Sequence, residues 1–466
     1  MKKSRLLPLT LLLVFSMLLA ACGGAAPSAP SGGGEAASDS GAAAGGEAAA
    51  SGEAVTISYW LWDANQLPAY QQCADGFMAA NPNITVEITQ SGWGDYWDNI
   101  QTGMVAGTAP DVFTDHLAKY PEFASKEQLV DIQPFVERDG VDLSVYIGEL
   151  ADLWARDGKR FGLPKDWDTI AIAYNQEAID AAGVSADVLN SLAWNPDDGG
   201  SFGEMIAQLT VDADGNNGLS PDFDSSNVAQ YGLIINGAGE AYGQTEWSWL
   251  TNTTGWTFND GLYDTKYYYD DPRFISTIQW VADMMEQGFI MPLEQVTSLG
   301  GSAAFKGGLG ALHANGSWMI GDLSQAPFPM GFARLPEGPE GRKSMFNGLA
   351  DSIWVGTEHP EEAWQWVKYL ASQECADIVG DAGVVFPAQQ SAVDKALAAY
   401  EAKGLDVSAF TEQALEEGGT FLFPVTDNAS EVTAIMSPAM ESILLGQTDA
   451  ESALTKAAAD VNAVFE

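Results

Sequence analysis

The segment Ala106-Gly107-Thr108-Ala109-Pro110-Asp111-Val112-Phe113 contains the end of one predicted element and the start of the next. Residues 96–106 have the apolar spacing of an amphipathic helix, and Gly107 is the residue type that commonly ends one. Pro110 then leads into a short strand that begins at Asp111. A helix followed closely by a strand is the repeating unit of an α/β protein.

The sequence before this segment shows the same alternation. Residues 55–59 and 84–88 alternate apolar and polar side chains, as half-buried strands do, and residues 68–80 between them have helical periodicity. This β-α-β order predicts a mainly parallel sheet. Further along the chain we predict helices near 202–209, 272–287, 360–379 and 450–465, and long loops across 232–269.

The N-terminus has the features of an export signal with a lipid anchor. A basic start and a short apolar run precede Leu19-Ala20-Ala21-Cys22, so residues 1–21 are predicted to be a signal peptide. The four-residue motif resembles the bacterial lipobox, which implies that Cys22 carries a diacylglyceryl thioether. The alternative is an ordinary signal peptide with an incidental cysteine.

Residues 22–53 are predicted to be a flexible tether. They are almost wholly Ala, Gly, Ser and Pro with a few acids, a composition that cannot bury enough apolar surface to fold. We therefore expect a protein on the extracellular or periplasmic face of the cell membrane, attached through the lipid alone.

The length of the chain bears on its number of lobes, and its net charge bears on which partners it can bind. The segment from residue 54 exceeds the length at which one core keeps growing, so two lobes are expected. The chain has 20 Lys and Arg against 64 Asp and Glu, a formal net charge of −44. Such a surface repels nucleic acid and anionic headgroups, which excludes both as expected partners. We expect a monomer.

Two cysteines remain besides Cys22, and both lie in predicted helices. Cys73 shares an apolar helical face in residues 68–80, and Cys375 follows a similar set in residues 360–379. An exported protein can form a disulfide between them. Their proximity does not follow from spacing, so a disulfide and two buried thiols are both open.

Five segments in order resemble the bacterial extracellular solute-binding proteins of ABC sugar importers, the group that contains the maltose-binding protein. Residues 106–113 resemble the family's "GTAPDV" turn and strand. The others are 77–86, 305–318 with Asn315-Gly316-Ser317-Trp318, 359–370 and 445–462.

This resemblance implies an α/β fold of two lobes joined by hinge-crossing strands, with a central ligand cleft that closes around its ligand. By position, residues 161–175 match the first crossing and residues 347–355 the second. The implied lobes are 54–166 plus about 350–395, and 167–349 plus about 396–466. This arrangement puts Cys73 and Cys375 in the same lobe, which favours their pairing.

The aromatic content suggests what the cleft binds. The chain has 15 Trp, many of them in predicted loops, and a sugar pairs its apolar C–H face with an aromatic ring and its hydroxyls with carboxylates and amides. Loops after predicted strands should meet at one cleft edge. The candidate substrate-binding residues are Trp62, Asp63, Trp93, Trp97, Asp115, His116, Lys165, Asp168, Trp256, Trp318 and Asp351.

Each candidate also has a structural interpretation. Trp318 matches the family's ligand-stacking tryptophan by resemblance, and Asp63 follows the first strand; for both we favour ligand contact. For His116, Lys165, Trp256 and Asp351 the favoured interpretation is the cleft rim or hinge hydrogen bonding, and ligand contact is the alternative.

One further motif has oxygen side chains at calcium-like spacing. Asp212, Asp214, Asn216 and Asp224 are the tentative ligands, but the loop lacks the glycine and glutamate of an EF-hand at the required places. A solvated Asx-rich turn is the favoured interpretation and a structural calcium site the alternative. No cofactor is otherwise required.

The favoured function is a membrane-anchored binding protein that captures a neutral mono- or oligosaccharide and delivers it to an ABC permease. The first alternative is a binding protein for a cationic solute such as a polyamine, which would pair aromatic faces with carboxylates. A surface glycoside hydrolase is the second. We favour no catalysis, because the three histidines lack metal-ligand spacing and no G-x-S-x-G or phosphate-binding motif occurs.

Overall fold

The computed structural model describes residues 53–466, so the predicted signal peptide, Cys22 and the tether up to residue 52 lie outside the described residues. The described residues, 53–466, form one compact unit. Within the described part, no helix is both long enough and apolar enough to cross a membrane.

Strands and short helices alternate along the chain. The strands are β1 (Val55–Leu61), β2 (Ile84–Gln90), β3 (Val112–His116), β4 (Ala155–Arg156), β5 (Lys159–Arg160), β6 (Leu163–Asp168), β7 (Ile170–Asn175), β8 (Val211–Asp212), β9 (Val228–Ile234), β10 (Gly310–Gly316), β11 (Met330–Ala333), β12 (Ser344–Ile353), β13 (Phe386–Pro387) and β14 (Thr420–Leu422). The helices are α1 (Leu67–Ala80), α2 (Trp93–Ala106), α3 (Tyr120–Ser125), α4 (Gln133–Asp139), α5 (Gln176–Ala181), α6 (Ala186–Leu189), α7 (Gly200–Leu209), α8 (Ser248–Thr251), α9 (Pro272–Glu286), α10 (Leu293–Leu299), α11 (Gly301–Lys306), α12 (Ile320–Leu323), α13 (Pro360–Leu370), α14 (Gln373–Ala382), α15 (Gln390–Ala402), α16 (Ser408–Leu415), α17 (Ala429–Leu444) and α18 (Ala450–Ala463).

Lobe 1 is built on a seven-stranded sheet in the order β13-β6-β12-β3-β1-β2, with β14 paired to one end of β12. Strands β1, β2 and β3 are parallel, as the β-α-β pattern predicts. The central strand β12 is antiparallel to both β3 and β6. The sheet is therefore mixed rather than mainly parallel, because β6 leaves for the second lobe and β12 returns from it.

Lobe 2 contains a five-stranded sheet in the order β11-β7-β10-β9-β8. Its apolar side chains form a core between this sheet and helices such as α7 and α9. A separate aromatic-rich core joins α9, α17 and α18 to the loops before α9. The two-lobe α/β architecture implied by the resemblance is confirmed.

Three chain segments cross between the lobes and are hydrogen-bonded to one another. The first joins β6 to β7 at Thr169, whose hydroxyl donates to the carbonyl of Phe410 at 2.9 Å. The second leads from β11 to β12, where the Ser344 hydroxyl accepts from the amide of Ile170 at 2.8 Å. The third carries β14, and the carbonyl of Gly419 accepts from the amide of Ser344 at 2.8 Å. These bonds make the crossing one connected hinge.

A buried ion pair holds four strands of lobe 1 together. The Lys165 ammonium lies 3.3 Å from Asp351, and both side chains are 2% exposed. The same ammonium donates to the hydroxyls of Tyr59 at 2.9 Å and Thr114 at 3.0 Å. Because buried charges are costly unless paired and hydrogen-bonded, this network is a strong constraint on how β1, β3, β6 and β12 align.

A disulfide joins Cys73 of α1 to Cys375 of α14, with their Cα atoms 5.3 Å apart. Both residues are fully buried in the core of lobe 1. The pairing of the two cysteines, left open by spacing alone, is thus present in the structure.

The structure differs from the sequence predictions in several elements. The single helix expected at 360–379 is two helices, because Ser372 caps α14 by accepting from the amide of Cys375. Residues 232–269 include part of β9 and the short helix α8. Helices α15 and α17 were not predicted. Since α15 packs on α14 in lobe 1, the expected lobe boundary near 395 falls inside a helix.

Candidate functional site

A cleft of about 920 Å³ lies between the lobes. Its lobe 1 wall is built at the carboxyl ends of the parallel strands: Trp62 follows β1, Trp93 starts the helix after β2, and His116 ends β3. Ligands of α/β proteins bind at this edge of the sheet. Lobe 2 closes the other side with the loop after β9, residues 236–246, and with one face of α17.

Three tryptophans form a continuous aromatic surface on lobe 1. The ring centre of Trp62 lies 5.1 Å from that of Trp93 and 5.5 Å from that of Trp97. Trp93 and Trp97 are 5.5 Å apart. Trp93 is 48% exposed although it is apolar, whereas Trp97 is buried. An exposed tryptophan supported by two others is available to a flat apolar ligand face.

His116 extends this aromatic surface as a neutral ring. Its Nδ1 accepts a hydrogen bond from the amide of Ala118 at 3.0 Å, and its Nε2 lies 2.8 Å from the Asn347 side-chain amide. Burial, followed by the nearby charge of Lys119, lowers the pKa of His116 to about 3. The imidazole is therefore uncharged at neutral pH and serves as a hydrogen-bonding group.

Trp318 is the aromatic residue on the lobe 2 side. It follows β10 directly and packs against the cores of both lobes. Its ring lies over the backbone of Gly316, where an added Cβ would come 1.9 Å from the indole Cζ3. Glycine at 316 is thus required by this close approach of the ring.

Two carboxyl groups of the cleft wall, Asp63 and Asp168, are held by hydrogen bonds. Asp63 accepts hydrogen bonds from the amide of Asn65 and the side chain of Gln66, and burial raises its pKa. Asp168 accepts from Gln244 of lobe 2 at 2.8 Å and from Asn347 at 3.2 Å. Burial, then the charge of Asp166, raises the pKa of Asp168.

Asp166 is the most strongly buried carboxyl in the cleft wall, with 2% exposure. Its Oδ2 has no hydrogen-bond partner among the described residues. Burial raises the pKa of Asp166 to about 7, and the ammonium of Lys165 opposes that shift. An unpartnered buried oxygen at a cleft wall is a candidate acceptor for a ligand.

The structure brings seven of the eleven predicted binding residues to the cleft. The seven are Trp62, Asp63, Trp93, Trp97, His116, Asp168 and Trp318. Their contact with a ligand stays a prediction.

The other four predicted binding residues lie beneath the cleft surface. Lys165 and Asp351 form the buried ion pair of the lobe 1 sheet. Asp115 is fully buried and accepts from the amide of His116, and burial raises its pKa to about 8. Trp256 is fully buried, stacks on Phe274 and donates to the carbonyl of Tyr268. The expectation that these four line the cleft is corrected, because each is occupied by core contacts.

Several residues that line the cleft were not predicted from the sequence. Asp166 and Trp167 lie within the predicted first crossing, next to candidates that were chosen. A second signal was available in α17, which presents small and polar residues at a spacing of four along one face. These are Ala429, Thr433, Ser437 and Glu441.

The calcium-like loop is organised by hydrogen bonds to Asp212. Its carboxylate accepts from the amides of Asp214, Asn216 and Asp224, as in an Asx turn. Among residues 53–466, no group of three or more His, Cys, Asp or Glu side chains is placed to hold a metal ion.

Two proteins of known sequence are similar to this chain. A putative binding protein of Brucella abortus is 24% identical over 427 residues, covering 87% of this chain and 92% of that protein. The arabinooligosaccharide-binding protein of Bacillus subtilis is 24% identical over 165 residues, covering 34% of this chain and 36% of that protein.

Among solved structures, the ABC substrate-binding protein Lmo0181 of Listeria monocytogenes in complex with cycloalternan is similar. It has a TM-score of 0.76 and 19% identity, covering 88% of this chain and 99% of that one. This likeness shows a shared fold. The family model for the bacterial extracellular solute-binding proteins matches residues 63–375, which is more than half of the sequence. The chain therefore belongs to the bacterial extracellular solute-binding protein family.

Proposed function

We propose that this protein captures a carbohydrate in the cleft between its lobes and delivers it to an ABC import permease. The observation that carries the proposal is the set of four tryptophans, Trp62, Trp93, Trp97 and Trp318, that line one cleft from two lobes. Indole faces match the C–H face of a pyranose ring. Carboxylates and amides beside them supply acceptors and donors for its hydroxyls.

The size of the cleft favours more than one sugar ring. Its volume of about 920 Å³ lies at the upper end of the range of about 300–1,000 Å³ found for small-molecule sites. The similar proteins named above include one that binds arabinooligosaccharides and one in complex with cycloalternan. We therefore favour an oligosaccharide as the ligand.

The proposal includes no catalysis and a lipid anchor. Ligand capture needs only closure of the lobes about the hinge. The lipobox-like motif at Cys22 would hold the binding unit near the permease. If so, Cys22→Ser should move the protein from the membrane fraction to the medium or the soluble fraction.

A thermal-shift screen tests the binding function directly. The compact unit from residue 53 is mixed with mono-, di- and trisaccharides and with spermidine, since a ligand that binds only the folded state raises the melting temperature. We expect an oligosaccharide to give the largest shift. A shift with spermidine and none with any saccharide would favour the cationic-solute alternative.

Two tryptophan variants place the binding site. Trp318→Ala should weaken the affinity for the saccharide found in the screen by at least tenfold, measured by titration calorimetry. Trp354→Ala is the matched control, because Trp354 is partly buried like Trp318 but lies outside the cleft. Equal affinities in Trp318→Ala and the parent protein would refute this placement. Turnover of a glycoside would refute the non-enzymatic function.

A further inference from the structure

The ionisable groups that line the cleft are mostly acidic. Among the described residues of its wall, Lys119 is the one ammonium group, and His116 is held neutral by its pKa of about 3. Seven carboxyl groups lie on the same wall, from both lobes: Asp63, Asp98, Asp166, Asp168, Glu240, Glu246 and Glu441.

Closure of the lobes makes this imbalance more costly. It removes water from the cleft, and repulsion between like charges grows as the local dielectric constant falls. Hydroxyl groups of a neutral sugar can donate hydrogen bonds to carboxylates but bring no compensating charge. A protonated amine donates hydrogen bonds and also brings a positive charge. Its hydrogen bonds to carboxylates are stronger than those of a neutral donor.

Asp166 marks where such a group would be held. This side chain is 2% exposed, lies in the cleft wall and has an Oδ2 without a hydrogen-bond partner in the described chain. Asp168 lies two residues away on the same strand, and the charge of Asp166 contributes to raising the pKa of Asp168. The tryptophans of the cleft add attraction, since an indole face attracts a cation.

We propose that the carbohydrate this cleft selects bears a protonated amine, held by the Asp166 carboxylate with Asp168 beside it and the tryptophans stacked on its sugar rings. This inference rests on the proposed function and names the class of its ligand, an amino sugar oligomer. It differs from polyamine binding because the sugar rings remain necessary for affinity.

The pH dependence of binding should separate a charged ligand from a neutral one. The groups that act on Asp166 are Lys165 on its own strand, Asp351 of β12 and Asp63 after β1, and Asp166 in turn acts on Tyr70 of α1. Burial gives the Asp166 carboxyl a pKa of about 7 in the free protein. A bound ammonium favours the ionised form of Asp166, so its affinity should rise as the pH rises from about 6 to 7. This window lies below a pKa of about 7.7–8.0, typical of an α-amino group, near which we expect such an amine to lose its proton. A neutral sugar should not show this rise.

Matched ligands provide the test. Titration calorimetry on the compact unit compares the trimer of β-1,4-linked glucosamine with cellotriose, which has the same rings and linkage without the amine. Each neutral saccharide that raises the melting temperature is likewise compared with its own amino-deoxy analogue. We expect the amine-bearing member of a pair to bind at least tenfold more tightly at pH 7, and its advantage to shrink in high salt.

Variants identify the carboxylate responsible. Asp166→Asn should weaken the amine-bearing member of each pair more than its neutral partner, so that the ratio of the two affinities falls from tenfold or more toward one and loses its pH dependence. Asp75→Asn is the control for the loss of one negative charge, because Asp75 is exposed on α1 outside the cleft. If Asp166→Asn does not fold, the pH dependence of the parent protein's affinity for the amine-bearing saccharide still tests the inference.

The outcomes separate this inference from the function on which it rests. Neutral saccharides that bind as tightly as their amine-bearing analogues, with no rise in the affinity of those analogues from about pH 6 to 7, would overturn the inference and leave carbohydrate binding intact. Failure of every saccharide in the screen, charged or neutral, would overturn the proposed function itself. Spermidine binding without saccharide binding would overturn both.

Discussion

Removal of the disulfide between Cys73 and Cys375 should lower the stability of the protein by several kcal/mol. The bond joins residues 302 positions apart in sequence. For a loop of that length, the chain-entropy expression gives a loss of about 5.7 kcal/mol in the free energy of unfolding at 25 °C. Removal of a native disulfide typically costs about 2–5 kcal/mol, and we expect a loss in that range here.

The double variant Cys73→Ala, Cys375→Ala is the appropriate perturbation. Both sulfur atoms are fully buried in lobe 1, and alanine at both positions leaves no unpaired thiol in the core. Each protein is unfolded in guanidinium chloride and followed by tryptophan fluorescence and circular dichroism, without ligand. The parent protein with a reducing agent should behave like the variant once the bond is broken.

An equal midpoint and slope for parent and variant would refute this reasoning, provided that mass spectrometry shows the bond intact in the parent. A large loss confined to one of two unfolding transitions would instead be expected if the lobes unfold separately. In that case the transition of lobe 1 should move, because both cysteines lie in its core.

Three further predictions test other features of the structure. Lys165→Met leaves Asp351 buried without its cation and should cost about 3–5 kcal/mol in denaturant unfolding; the added change Asp351→Asn should recover part of the loss, and no recovery would contradict the pairing. Burial lowers the pKa of His313 to about 4, below its unfolded value of about 6.5, so its contribution to stability is complete above pH 6.5 and is lost as the pH falls toward 4. His313→Gln should therefore reduce the slope of unfolding free energy against pH by up to about 1.4 kcal/mol per unit in that window, and an unchanged slope would count against a buried neutral imidazole. Gly316→Ala places a Cβ 1.9 Å from the ring of Trp318 and should weaken the saccharide found in the screen by roughly tenfold, or about 1.4 kcal/mol; unchanged calorimetric affinity would show that the ring position does not matter for binding.

Local sequence patterns predicted the start of lobe 1 well. The order of β1, α1, β2, α2 and β3 follows from periodicity and from helix ends such as Gly107, which are set by neighbouring residues. The direction of β12 could not be obtained this way. Its antiparallel pairing with β3 and β6 depends on a return from the other lobe, which lies far from it in sequence.

In the candidate site, too, local patterns placed some residues correctly and could not place others. Trp62, Trp93 and His116 were found because residues after parallel strands share one sheet edge. Trp256 was misplaced because an aromatic-rich loop looks the same in sequence whether its rings meet solvent or pack on a helix such as α9. Asp115 was wrongly predicted to line the cleft. Its neighbour His116 faces the cleft, whereas Asp115 is buried.

The place of β12 in the middle of the lobe 1 sheet governs the order in which the chain can assemble. Strands β3 and β6 both pair with β12, yet they leave the ribosome long before residue 353 does. Until then each has an open edge on the side where β12 will lie. The sheet of the first lobe thus cannot be completed until residues up to 353 have been synthesised, so folding of this lobe has to wait for much of the second.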